Sequence, residues 1–135
     1  MRTLAPGRRI HEVSEADGLD ASMLTAVGRA LETDPTIAAV YSVGGGNTAI
    51  LDAFRLLGRV PSPFIAHDLD GDNSSLLRQG GITAVLHHDL RTDLRQACRL
   101  VLQARGALPG RPQSWPSPIQ VVTPFNQPLH HVPLP

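Results

Sequence analysis

The stretch "TIAAVYSVGGGNTAILDAFRLLG" (residues 36–58) decides the fold class. Its first eight residues are almost continuously apolar, as a strand covered on both faces must be. Three glycines then turn the chain, and the remainder carries a helical period that closes at Gly58. The same unit recurs downstream. "PFIAHD" (63–68) reads as a strand, "NSSLLRQGG" (73–81) as a short helix capped by Asn73 or Ser74, "ITAVLHHD" (82–89) as a strand and "TDLRQACRLVLQARG" (92–106) as a helix. Upstream, "RRIHEV" (8–13) is expected to be a strand, and after the turn residues "SEADGLD" the apolar positions Leu24, Val27, Ala30 and Leu31 share one helical face that Pro35 ends. Such alternation predicts an α/β fold, a doubly wound parallel sheet. The last 29 residues hold eight of the twelve prolines around one possible strand, residues 119–123, with the final residues as a tail.

Composition narrows the function classes. A chain of 135 residues suits one domain. Twelve basic residues balance twelve acidic ones, with no long run of either sign, which argues against nucleic acid as a direct partner. All the basic residues are arginine, so neither Schiff-base chemistry nor a P-loop lysine is available. Cys98 is the single cysteine, and no apolar run reaches the length of a membrane span or a signal-peptide core; the reading is a cytoplasmic chain with no membrane partner.

In an open sheet of this class ligands collect where strands end, and three loops there carry polar groups: "VGGGN" from Val43, "HDLDGDN" from His67 and "HHD" from His87. Asp68, Asp70 and Asp72 have the spacing that opens a calcium loop, but Asn73 stands where the turn glycine belongs and Gln79 where a bidentate glutamate belongs. A transition-metal set from His67, His87, His88, Asp68 and Asp89 meets a different obstacle, because successive strand residues such as His87 and His88 point to opposite faces. "GGGNTA" (44–49) matches the turn of a dinucleotide fold, with Asp68 at the spacing of its ribose-binding acid, so a nucleotide-binding Rossmann-like enzyme domain is the alternative. The same glycines also serve a tight turn without any phosphate. No metal, cofactor or catalytic residue is expected.

The order of these pieces, from "PTIAAVYSVGGGNTAILDAFRLLG" through "FIAHDLDGDNSSLLRQGGITAVLHHD" to "TDLRQACRLVLQARG", resembles the ligand-sensing domain of the LacI-type transcription regulators, which share the type I periplasmic sugar-binding fold. The resemblance covers about residues 9–128. It implies a periplasmic-binding-protein-like carboxyl-terminal lobe over residues 1–90, a helix and strand over 91–128 that pack on the other lobe, and a tail over 129–135. It also implies that the operator-reading helix-turn-helix and the amino-terminal lobe lie outside these residues, so that operator DNA is met only through the former.

Residue by residue, the resemblance places Asp68 at the family's ligand-binding aspartate, which accepts hydrogen bonds from adjacent sugar hydroxyls. A carboxylate suits a neutral polyol because it offers two acceptor oxygens. His88 stands where the family has a ligand-contacting glutamine, and Asp89 matches a frequent acid beside it. Val43 and Gly44 replace an Asn-Asp pair, leaving the Gly44 backbone or the displaced Asn47 to make that contact. The implied ligand is a sugar or sugar-like effector. Because the helix over residues 92–105 packs on another lobe in that family, its stripe Leu94, Ala97, Val101 and Ala104 is expected to be uncovered here, favouring a homodimer.

Overall fold

The structure, a computed structural model, describes residues 7–14 and 19–127; the expected tail, 129–135, lies outside them. Eight elements follow one another: α1 (Asp20–Thr33), β1 (Val40–Tyr41), α2 (Asn47–Leu56), β2 (Phe64–His67), α3 (Gly71–Arg78), β3 (Ala84–His87), α4 (Leu90–Ala104) and β4 (Gln120–Val122). The sheet runs β1-β2-β3-β4, with the first three strands parallel and β4 antiparallel to β3. The α/β class and the predominantly parallel sheet are as the strand-helix alternation predicts.

Local chemistry accounts for most boundaries. Pro35 removes a donor just past α1, whose last turn is closed by Asp34 N–H donating to Ala30 O. Gly58 ends α2 at φ 65°, a left-handed conformation that costs a residue without a side chain little. β1 forms a ladder of only two residues, yet Val40 N–H, Ser42 N–H and the Ala38 carbonyl bond to the β2 side, so the extended run reaches beyond it. The short helix α3 starts at Gly71, and its cap is Asp70, whose carboxylate accepts from Asn73 N–H at 2.7 Å. That corrects the assignment of the cap to Asn73 or Ser74: an aspartate ahead of the helix reaches the first free amides better than a residue already inside the first turn. α4 likewise begins earlier than expected, at Leu90, because Asp89 caps it through Thr92.

Two further expectations are corrected. Residues 8–13 form no strand and pair with none among the described residues; Arg9 instead ties them to the end of α1, its guanidinium 3.4 Å from the Asp34 carboxylate and 3.0 Å from Thr36 Oγ1. The segment 119–123 does not leave for another lobe's sheet. It pairs with β3, Val122 opposite Val85 and Val121 opposite Leu86, since β3 otherwise presents an open edge of backbone donors and acceptors.

The core lies on one face of the sheet. Phe64, Ala66, Val85 and Val122 alternate inward and meet Ile50, Ala53 and Phe54 of α2 and Leu76 and Leu77 of α3, with Val27 and Leu31 of α1 packed behind. The outward residues Tyr41, Ile65, Leu86 and Val121 are exposed or half-buried. α4 covers neither face: none of its residues is buried, and Leu94 and Val101 are 57% and 61% exposed, so the uncovered stripe is present as expected. Phe64→Ala is therefore expected to lower unfolding stability by about 3–5 kcal/mol. In the monomer Leu94→Ala should change it by no more than about 0.5 kcal/mol, with urea denaturation at concentrations too low for self-association reading both.

Candidate functional site

The carboxyl ends of β2 and β3 lie side by side, His67 opposite Leu86, so the loops that follow them face each other. The first residue past β2 is Asp68, which takes φ 62°, the left-handed region that is uncommon for a residue with a side chain. Its backbone is held there from both directions. Asp68 N–H donates to Leu86 O, and the side-chain amide of Asn73 donates to the carbonyls of His67 and Asp68, each at 2.8 Å. Aspartate tolerates this region better than most residues with a side chain, and these bonds fix it there. The result is a carboxylate 64% exposed at the end of a core strand.

Asn73 is itself buried, and its orientation is decided by these bonds. Because its nitrogen donates to two carbonyls, its oxygen is the acceptor of Asn47 Nδ2, at 2.8 Å. That leaves Asn47 Oδ1 buried and, among the described residues, without a donor. Asn47 thus reaches Asp68 through Asn73 rather than touching the surface beside it.

On the β3 side His88 points at Asp68, with Nε2 3.4 Å from Oδ1. Its other nitrogen lies 2.6 Å from Asp93 Oδ2 in the first turns of α4, and the same oxygen accepts from Ser117 Oγ at 2.8 Å. The hydrogen bond to Asp93, with the charge of Asp93 and Asp68 added, raises the His88 pKa above the ordinary 6.5. His88 and Ser117 together hold the Asp93 carboxyl below its usual range. Asp89 is adjacent but occupied, since it accepts from Thr92 N–H and Thr92 Oγ1, and the Thr92 hydroxyl is the main cause of its lowered pKa.

Of the five residues expected at the site, Asp68 and His88 are brought together, Asp89 caps α4, and Asn47 is one layer behind. Gly44 is exposed and lines a different feature, a cavity of about 300 Å³ beside β1 walled by apolar groups such as Val13, Met23, Leu31 and Phe54. The remaining histidines also part company: His67 meets Tyr41 Oη at 2.6 Å, and His87 Nδ1 accepts from Leu69 N–H. Among the described residues no three His, Cys, Asp or Glu side chains form a metal-sized cluster. Asp93 and Ser117 were not singled out from sequence, and Asn73 was read only as a helix cap, not as the residue that holds the turn at Asp68. For Asn73 a signal existed, an Asx residue following "DGD" at a helix start; Ser117 lies 24 residues from its partner and gave none.

No family model matches the chain, and comparison with curated proteins gave no match. Among solved structures it is similar to the sugar-binding protein of a sugar ABC transporter from Bacillus halodurans, with a TM-score of 0.61 and 22% identity over 82% of this chain and 43% of that one. The chain thus spans less than half the length of that protein. The likeness shows the fold, which is of the periplasmic-binding-protein-like kind. The network around Asp68 carries its own test: Asn73→Ala leaves two carbonyls and the Asn47 amide without their partners, and should cost about 2–4 kcal/mol. Asp68→Asn, an exposed change of similar shape, should cost under about 0.5 kcal/mol in the same denaturation measurement.

Proposed function

We propose that this chain senses a small, uncharged, polar ligand of the sugar type, bound at the Asp68–His88 edge, and that it does so as part of a LacI-type transcription regulator. The observation that carries the reading is Asp68 itself. It is an exposed carboxylate in a left-handed backbone, at the carboxyl end of a core strand and beside a histidine, in a fold that the sugar-binding protein shares. The regulator assignment rests on the ordered resemblance of the segments to that family. In such a protein operator DNA is read elsewhere, by a helix-turn-helix, and this lobe supplies the ligand's effect on it. Binding rather than bond-making is the proposed chemistry: Asp68 offers acceptors for hydroxyl donors, and Asp93 and Ser117 hold His88 in place.

The test is nuclear magnetic resonance of the labelled chain titrated with a sugar panel, and separately with NAD. The site reading expects saturable shifts of Asp68, Leu69 and His88 with at least one sugar, and Asp68→Ala should weaken that binding by about tenfold or more, the equivalent of about 1.4 kcal/mol. Saturable shifts with NAD confined to residues 44–49 support the nucleotide alternative instead.

The second part of the proposal concerns assembly. A 15-residue helix with no buried residue is marginal by itself, so the α4 face is proposed to close on a second copy in the isolated chain. Sedimentation at micromolar concentration should show a dimer that Leu94→Glu disperses. A monomer at all concentrations removes the homodimer.

A further inference from the structure

Resting on the reading of Asp68 as a ligand's anchor, we infer that a proton on His88 and a pair of adjacent ligand hydroxyls compete for one place, the acceptor edge formed by Asp68 Oδ1 and His88 Nε2.

The argument begins with the tautomer. His88 Nδ1 lies 2.6 Å from Asp93 Oδ2, and a carboxylate oxygen can only accept, so Nδ1 carries the hydrogen. Neutral His88 therefore presents a bare lone pair at Nε2. That lone pair sits 3.4 Å from Asp68 Oδ1, another acceptor. Two acceptors facing each other with nothing between them repel, and two things relieve the repulsion. A proton on Nε2 turns the pair into an ion pair. Alternatively, donors arriving from solvent satisfy both atoms, and two hydroxyls on neighbouring carbons bring two donors to adjacent acceptors.

The groups facing His88 are Asp68 past β2, Asp93 and Ser117 from α4 and the segment before β4, and Asp89 alongside it at the start of α4. All the charged ones are carboxylates. The carboxylates repel an anionic ligand, whereas a neutral polyol carrying vicinal hydroxyls brings the two donors that this edge takes. Asp93 and Asp68 also favour protonated His88, so the competing proton persists to a higher pH than for an ordinary histidine.

The sign follows. Below the His88 pKa, Nε2–H occupies Asp68 Oδ1 and the ligand must displace a proton, so affinity falls by up to about tenfold per pH unit; above it, affinity reaches a plateau. The experiment is titration of the ¹⁵N-labelled chain with D-ribose, D-xylose, D-glucose and D-galactose, following Asp68, Leu69 and His88 amides. Binding at about pH 8.5 should be at least about tenfold tighter than at about pH 5.5, and His88→Gln, which keeps a polar side chain that does not titrate, should bind without that dependence. Equal affinity at both pH values, or the same dependence in His88→Gln, overturns the competition while leaving the site reading intact. No binding of any sugar at either pH overturns the site reading and this inference with it. A second measurement needs no variant: the His88 imidazole nitrogens, titrated in wild type with and without saturating sugar, should show the ligand lowering the His88 pKa, and an unchanged value refutes the competition.

Discussion

The side-chain amide of Asn73 is the interaction on which the carboxyl ends of the parallel strands depend. It binds the last carbonyl of β2 and the carbonyl of Asp68, its oxygen takes the Asn47 amide at the start of α2, and its own backbone N–H is held by Asp70. One buried residue thus joins the end of a strand to the first turns of two helices. The left-handed turn at Asp68 is a conformation that costs of order 1 kcal/mol by itself, and these bonds together with the pairing of Asp68 N–H with Leu86 O offset that cost.

Packing and polarity divide the molecule by face. The helices α1, α2 and α3 bury the inner face of the sheet, and this supplies the apolar burial that offsets chain entropy. The outer face and α4 contribute polar links instead. His88, Asp93 and Ser117 connect the end of β3 to α4 and to the segment entering β4, through exposed or half-buried groups that solvent screens. Asp68 thus stands on β2 and α3, which reach the core, while His88 is tied to α4, none of whose residues is buried.

Much of the fold was legible in the sequence because periodicity reports burial directly. The runs containing Phe64, Ala66 and Val85, and the helical stripe of Val27 and Leu31, became core as their spacing required. Residues 8–13 carried the same kind of signal but pair with no described strand, since a strand also needs a neighbour with a free edge, and no pattern within six residues records that. The destination of β4 was misread for the complementary reason: its own residues say only that it is extended, while the open edge that takes it belongs to β3. At the site, Asp68 and His88 were visible through their place in the order of elements, and the structure sets them 3.4 Å apart. Asn47 and Asp89 were assigned outward roles, but Asn47 is drawn inward by Asn73 and Asp89 by the amides of α4. Both are short polar residues at helix starts, where local backbone competes with any ligand for the same atoms.

The two outer strands bear on how this chain behaves in a crowded solution. An open strand is a template on which unrelated chains can grow into fibrils, and a sheet with apolar residues on its outer face is vulnerable to that fate. Here β1 offers a ladder of two residues that runs into a glycine turn, and β4 offers three that lie between Pro118 and Pro124. Proline withholds the donor that an added strand would need, and a ladder so short gives a newcomer little to register against. The brevity of the sheet at both margins thus acts as a barrier to fibrillar growth.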